Sequence, residues 1–493
     1  LEKHAELHTM ERTPLDFDVI IIGAGLSGIG AAYHVQTGAP GLRYTVLEGR
    51  SSMGGTWDLF RYPGIRSDSD MYTLGFSFNP WTEGEAIADG PAILRYIHST
   101  AEQFGIHRHI RFDHRVVQAD WSDADACWTL TLRAHPNVPK EVLRCRFVIA
   151  CCGYYDYQQG HAPEFTGSAD FQGRIVHPQF WPQDLDWSGK NVVVIGSGAT
   201  AATLVPELAR RAAHVSMLQR SPTYYLDLPR TDTVATFLHC VLPRHWAYNL
   251  VRWKNILLSW GFYQASRKWP RLVADRLRKA VRRALGERYR DADFTPRYKP
   301  WDQRLCIVPG GDLFSAIRAG KVEVVTDTID RFVAEGIRTT SGRVLPADLI
   351  ITATGLKVQL LGGIKATING REVHTGQLHC YRGVMFGGVP NFAVAIGYTN
   401  ASWTLKCDLN CAYVARLLRH MQRKGHRIVV PHYDPARHGS EPLLDFDANY
   451  IKRAADILPK QGSRTPWKVY QNYLRDMLML KHGRVADGHL RFS

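Results

Sequence analysis

Asp18-Val-Ile-Ile-Ile-Gly-Ala-Gly-Leu-Ser-Gly28 joins an apolar β-branched run to three glycines spaced G-x-G-x-x-G. An unbroken run of Val and Ile suits a parallel strand buried on both faces, and the residues that follow, through Ala31 and Val35, read as a helix. In that setting Gly23 permits the tight turn, Gly25 lets the backbone approach a pyrophosphate, and Gly28 lets the helix pack on its strand. The helix N-terminus favours the anion. The next strand, Tyr44 to Leu47, ends in Glu48, placed to accept hydrogen bonds from ribose hydroxyls. The fold class is therefore α/β, opening on a Rossmann-like dinucleotide-binding domain.

A second copy lies downstream. Val192-Val-Val-Ile-Gly196-Ser197-Gly198-Ala199-Thr200-Ala201 again runs from an apolar strand through a glycine loop into a helix. Its third small position is Ala201, which the fingerprint allows. Its second strand, Val215 to Leu218, ends in Gln219-Arg220-Ser221, so the place held by Glu48 in the first copy has no acid. An acid would repel a 2′-phosphate, whereas an arginine pairs with one in a two-pronged contact. The second nucleotide is accordingly expected to be NADP rather than NAD, unless Arg220 is an ordinary surface charge.

Each copy closes in the same way. Short β segments from Ile110 to Leu132 lead to Phe147–Cys152 and Gly153; a strand at 322–325 and a meander lead to Leu349-Ile-Ile-Thr-Ala-Thr-Gly355. This repetition implies two Rossmann-like domains, the second inserted in the first. The expected boundaries are 10–152 for the first part of the first domain, 153–345 for the second domain, and 346–493 for the remainder of the first.

Phe171-Gln-Gly173-Arg-Ile-Val-His177-Pro-Gln-Phe-Trp181-Pro182 sits between the two glycine loops and reads either as a proline-rich connector or as a joint between the domains. Gly54-Gly55-Thr56-Trp57-Asp-Leu-Phe-Arg-Tyr62-Pro-Gly-Ile-Arg66-Ser67-Asp68 is glycine-rich and aromatic at once. Its glycines can bring backbone against a flat heterocycle while Trp57 and Tyr62 form a wall; the alternative is a surface loop with a Pro-Gly turn. Near the end, Gly397 to Trp403 precedes a helical run from Thr404 to about Gln422, with Ser402 as its expected N-cap.

Residues 231–300 depart from this plan, being helical in pattern and carrying Trp246, Trp253, Trp260 and Trp269. The window 251–300 holds 14 Lys and Arg against 4 Asp and Glu, a large share of the chain's net charge of +15. Three readings stand: peripheral contact with an anionic membrane, a lid over the substrate entrance, or a solvated basic face. No nucleic-acid-reading motif accompanies the charge, so nucleic acid is not an expected partner.

Composition narrows the rest. A chain of 493 residues, 45% hydrophobic and 22% charged, suits two or three soluble domains. Its nine cysteines form no CxxC, which argues against a zinc site, a disulfide framework or an oxidising compartment and favours the cytoplasm, and no metal is expected. The missing CxxC also removes a disulfide reductase of similar architecture. No apolar run approaches 18 residues, so no spanning helix is expected. The nine residues before Met10 are given no functional weight. The oligomeric state stays open.

The joint fits F-x-G-x-x-x-H-x-x-x-W-P at every defined position, and 54–68 fits small-G-x-W-x-x-x-x-Y-P-G-x-x-x-D. In these motifs, and over residues 16 to 492, the chain resembles the type I Baeyer–Villiger flavoprotein monooxygenases. The resemblance implies FAD and NADPH as cofactors, O2 as co-substrate, and conversion of a small-molecule ketone to an ester or lactone through a flavin peroxide. Oxidation of sulfur in a thio compound is a second implied activity, and a primarily sulfur- or nitrogen-directed oxygenase the alternative. A non-catalytic membrane-surface protein is the reading from another class. Residue by residue, the resemblance places Ser27, Glu48, Thr56, Trp57, Asp68 and Val116 on FAD, beside Gly23, Gly25, Gly28 and Gly55. It places Arg66, Ser67, Gly196, Ser197, Gly198, Ala199, Thr200, Ala201, Arg220 and Ser221 on NADP. Arg304 matches the family's active-site arginine and Asp68 its carboxylate neighbour; His177 and Trp181 fall to the hinge. Gln303 departs from the lysine that many members carry before that arginine, which leaves NADPH selectivity resting more on Arg220.

Overall fold

The computed structural model describes residues 14–133, 141–303, 305–444 and 449–493. The strand Phe17–Ile22 lies between two parallel neighbours, Tyr44–Leu47 and Glu141–Ala150. Val19, Ile20 and Ile21 are fully buried, as a strand covered on both faces requires. Glu141–Ala150 divides its length: its first half pairs antiparallel with Cys127–Arg133, and its second half runs parallel to Phe17–Ile22 on one side and Phe392–Val394 on the other. Lys365–Ile368 extends the same sheet by pairing with Arg115–Ser122. The first unit is thus completed by strands from both ends of the chain.

Helix Leu26–Gly38 packs on the sheet and against the long helix Trp403–Lys424. The two approach closely enough that a Cβ on Gly38 would come within 2.8 Å of the Ala415 Cβ, so a small residue on each side sets the spacing. Ser402 stands at the N-cap of the long helix without capping it through its side chain; its hydroxyl instead meets the Thr73 hydroxyl at 2.6 Å.

The second unit is a five-stranded parallel sheet in the order Val322–Thr326, His214–Gln219, Asn191–Ile195, Leu349–Thr352, Arg174–Val176. Its meander, 329–346, packs through Phe332, Ile337 and Leu345 on one face. Leu349–Thr352 belongs to this sheet, which corrects the expected boundary between 345 and 346. An apolar strand buried on both faces carries no mark of which sheet it will join; here the pairing with Asn191–Ile195 decides it.

Two connectors join the units, and they run side by side. Tyr155–Gly160 leaves the first unit and pairs antiparallel with Leu356–Val358, which returns to it. The His177 ring packs against Gly160, where a Cβ would come within 2.2 Å of it, and beside the backbone of His161 and Gly355. Trp181 packs into the second unit's core and meets Trp187 edge to face. Phe171 is buried against Phe332, and Gly173 passes too close to the Asp348 carbonyl to carry a side chain. The fingerprint stretch therefore lies where both connectors enter the second unit.

Residues 231–300 are helical, with helices Thr233–Val241, Arg244–Lys268 and Pro270–Leu285. The 25-residue helix docks on the first unit: Tyr248 donates to the Phe76 carbonyl at 3.0 Å, and buried Arg252 donates to the Tyr72 and Gly75 carbonyls at 2.6 and 2.8 Å. Those carbonyls end the short helix Met71–Leu74, so the cation sits where the helix dipole favours it. Val281 and Leu285 of the following helix enter the second unit's core. The insert thus bridges the two units. Among the described residues no helix is long and apolar enough to cross a membrane.

Candidate active site

The two glycine loops have nearly the same backbone. Gly25 and Gly198 each stand at a helix N-cap in extended conformation, with no side-chain cap and no acid in the first turn. Both helix ends therefore keep backbone N–H groups for an external anion. Gly23 and Gly196 both have positive φ, 102° and 128°, and a Cβ on either would strike the chain just after the return strand, at the Cys151 or Ala353 carbonyl. At Gly28 a Cβ would lie 1.8 Å from the Gly23 carbonyl oxygen, whereas Ala201 fits in the matching place, fully buried.

The first loop opens on a cavity of about 630 Å³ lined by both units. Of the residues singled out in the sequence, Gly23, Gly25, Ser27, Glu48, Gly55, Thr56, Trp57, Arg66, Ser67, Asp68 and Val116 line it from the first unit, and Ala199 and Thr200 from the second. Gly28 stands behind the loop as a packing residue. Gly196, Ser197, Gly198, Ala201, Arg220 and Ser221 surround the second loop outside the cavity wall, and Phe171, Gly173, His177, Trp181 and Pro182 lie at the joint. Arg304 lies outside the described residues. Its described neighbours place the segment: Leu305 is buried with Tyr224, Val273 and Leu277, and Ile307 lines the cavity.

Glu48 is fixed by backbone. Its carboxylate accepts from the Ala24 N–H at 2.7 Å and the Arg50 N–H at 3.0 Å. Burial, outweighing these hydrogen bonds, raises its pKa above the usual carboxylate value. A buried acceptor beside a glycine loop suits ribose hydroxyls, which return the hydrogen bonds that burial removed. Asp58 secures the next segment by pairing with Arg50 at 2.6 Å and Arg61 at 2.7 Å.

The cavity wall also carries several aromatic side chains. Trp57 and Tyr62 line it as expected, joined by Tyr154, Tyr157 and Trp403. Trp403 donates its Nε1–H to Ser27 Oγ at 2.9 Å and stacks on Tyr154 with ring centroids 5.1 Å apart. Gly397 is required under that ring, since a Cβ there would come within 2.4 Å of it. Burial pushes Tyr62 and Tyr157 up to about 12, so both phenols stay protonated at neutral pH. Cys152, also on the wall, is likewise pushed up to about 12, which leaves no thiolate for disulfide chemistry. The sequence signal for Tyr154 and Tyr157 is their place just after Gly153; for Trp403, its place just after the helix cap.

Two contacts tie the units together across this cavity. Tyr62 bonds the Thr200 side chain of the second loop. Arg66 grips Asp312, at the start of helix Asp312–Arg318 in the second unit, and Arg230 reaches the same carboxylate at 3.4 Å. Arg66 thus has a carboxylate partner already, and a nucleotide phosphate would compete for it. Arg220 is exposed, with no hydrogen-bond or ion-pair partner among the described residues. Among the described residues, none of those lining the cavity comes from 231–300. Of the three readings of the insert, the lid finds no support in this lining; the long insert helix instead backs Leu74 and Tyr398, which line the wall.

An elongated dinucleotide fits the first unit, with anion-binding backbone, a fixed ribose acceptor and aromatic side chains in one continuous cavity. Comparisons with known proteins agree with this. Residues 17–361 match the family model of flavin-binding monooxygenase-like proteins. The FAD-containing monooxygenase EthA of Mycobacterium tuberculosis is 55% identical over 478 residues, 97% of each chain. EthA of Mycolicibacterium smegmatis is 51% identical over 479 residues, again 97% of each. Among solved structures, an oxidised steroid monooxygenase bound to NADP superposes with a TM-score of 0.75, covering 97% of this chain and 99% of that one. At 21% identity that likeness establishes the two-unit fold.

Proposed function

The chain belongs to the flavin-binding monooxygenase-like family, and from that membership we propose that it is an NADPH- and O2-dependent FAD monooxygenase that converts ketones to esters or lactones. One oxygen atom enters between the carbonyl and a neighbouring carbon; the other leaves as water, with NADPH and a proton as reductant. A sulfide in place of the ketone takes the same oxygen atom to become a sulfoxide. The observation that carries this reading is the pair of glycine loops, one followed by buried Glu48 and the other by exposed Arg220, with the helix that each loop opens reaching one cavity.

FAD is assigned to the discontinuous first unit and NADP to the inserted one. The flavin, when bound, supplies hydride acceptance and activation of O2; the remaining work falls to the chain. Glu48 holds ribose, the helix end at Gly25 receives the pyrophosphate, and Trp57, Tyr62 and Trp403 keep water from the reacting end. Arg304 is assigned to the oxyanion that forms on the ketone carbonyl, with Asp68 orienting it. Its cation is needed only once oxygen transfer has begun, so its loss acts on turnover rather than on substrate affinity. His177, packed against the connectors, and Trp181, packed into the second unit's core, are assigned to the domain joint. We assign the protein to the cytoplasm.

The test is product analysis by mass spectrometry with NADPH, O2 and a panel of ketones and sulfides. Esters are expected from wild type. Arg304→Ala should stay yellow and soluble, lose ester formation by about 10²-fold or more, and release the reducing equivalents as hydrogen peroxide. Ester formation by Arg304→Ala at the wild-type rate removes this residue from the mechanism.

A further inference from the structure

Of the seventeen large apolar side chains that the described residues leave exposed, eleven fall between Val234 and Leu272. Exposed apolar groups concentrated in one region, rather than scattered singly, mark a surface that meets something. Within the helix Arg244–Lys268 five of the six exposed apolar side chains, all but Leu258, form a row: Trp246, Leu250, Trp253, Leu257 and Trp260 follow one another at alternating steps of four and three. At 100° per residue these five fall within an arc of roughly 80°. The residues that bury the helix, Tyr248, Val251, Arg252 and Ile256, lie on the other side. The row spans about 21 Å along the axis.

Charge identifies the partner. The next helix, Pro270–Leu285, buries Val273, Leu277, Val281 and Leu285 every fourth residue, and so turns its polar side outward with six basic residues against Asp275. At the bend, Lys268 lies over the Trp269 ring at 4.8 Å, beside exposed Leu272 and Arg271. Tryptophan and leucine on one face, with lysine and arginine at its border, suit the zone between acyl chains and anionic headgroups of a bilayer. A second copy of the chain suits it poorly, because each insert carries an excess of 10 positive charges in residues 251–300 and would meet its like.

The row also has a place relative to the site. The buried side of the same helix contacts Tyr398 through Ile256 and caps the helix that carries Leu74, and both Tyr398 and Leu74 line the cavity. One helix diameter, about 10 Å, separates the outward row from the cavity wall. We propose that the Trp246–Trp260 row seats the enzyme on an anionic bilayer and that its substrates are apolar ketones or sulfides dissolved in that bilayer. The second half rests on the function proposed above; the first does not.

The experiment is flotation of the full chain with vesicles of phosphatidylcholine alone or mixed with phosphatidylglycerol, at low and high salt. Wild type should float with the mixed vesicles, and less so at high salt. W246S/L250S/L257S should lose at least about tenfold of this binding while turning over a short, water-soluble ketone at the wild-type rate. Mixed vesicles should accelerate wild-type turnover of a long-chain ketone and leave the variant unaffected. Wild type that fails to float, or a variant that floats equally well, overturns the proposal. So does a wild-type dimer that ignores vesicles and is split by the same substitutions. Flotation with no ester or sulfoxide from any substrate supports the seat and overturns the reading of the reaction.

Discussion

The two glycine-loop units solve the same problem and part most plainly after their second strands. Both place a glycine with positive φ against the end of a return strand, and both open a helix with a bare N-terminus. After the second strand of each they differ. Glu48 is buried and held by two backbone N–H groups; Gln219 is buried by bonding the Asp293 carbonyl and Thr326, and the side chain that follows, Arg220, stands exposed. The fold builds the glycine loop twice, and the two copies differ in whether a buried acid or an exposed arginine follows the second strand.

The largest effect should come from forcing the first loop to resemble the second. Gly28→Ala places a methyl 1.8 Å from the Gly23 carbonyl although Ala201 is native at the matching position. Helix and loop must move apart, at about 3 kcal/mol; the protein should purify without yellow colour and melt early. Arg220→Ala should come next, weakening NADPH by about 1.5 to 3 kcal/mol, the range of a charge-assisted hydrogen bond, with NADH almost unchanged. Steady-state kinetics with both nucleotides checks this, and equal losses for the two would remove the assignment to a 2′-phosphate.

Glu48→Gln should move two readouts in opposite directions. A carboxyl whose pKa is higher folded than unfolded contributes its stability below its ordinary value and loses it as pH rises through the folded value. Flavin-free wild type should therefore lose stability as pH rises above Glu48's reference value of 4.5. The Gln variant should lack that slope, and its flavin affinity should fall by about 1.5 kcal/mol through the lost anionic acceptor. Denaturant melts across pH and a flavin titration separate the two. Ala201→Gly should be the mildest, about 1 kcal/mol from helix propensity, with NADPH binding kept. A loss as large as that of Gly28→Ala would show that the two loops are constrained alike.

Much of this comparison was legible in the residues, because each unit writes its strand, loop and helix in contiguous sequence. Val192 to Ala201 and Asp18 to Gly28 needed no distant partner to be read. The misplaced strand, Leu349–Thr352, shows where contiguity ends: its neighbours are Asn191–Ile195 and Arg174–Val176, and nothing within its own four residues names them. Arg66 is similar, since its partner Asp312 is 246 residues away. The insert's helices and its basic charge are plain in its own residues. Its docking on the first unit was hidden because the decisive group, Arg252, looks like every other arginine there until it meets the carbonyls of Tyr72 and Gly75.

The nested connectivity sets an order of events during synthesis. Ala150 pairs with Val394, so one margin of the second half of the strand Glu141–Ala150 stays open until roughly 240 further residues have left the ribosome. At about 5 to 20 residues per second that wait is on the order of 10 to 50 s. The inserted unit has its whole sheet by Thr352 and can close while the enclosing one is still incomplete. During that interval the nascent chain presents an apolar strand edge of the kind that invites pairing with another chain.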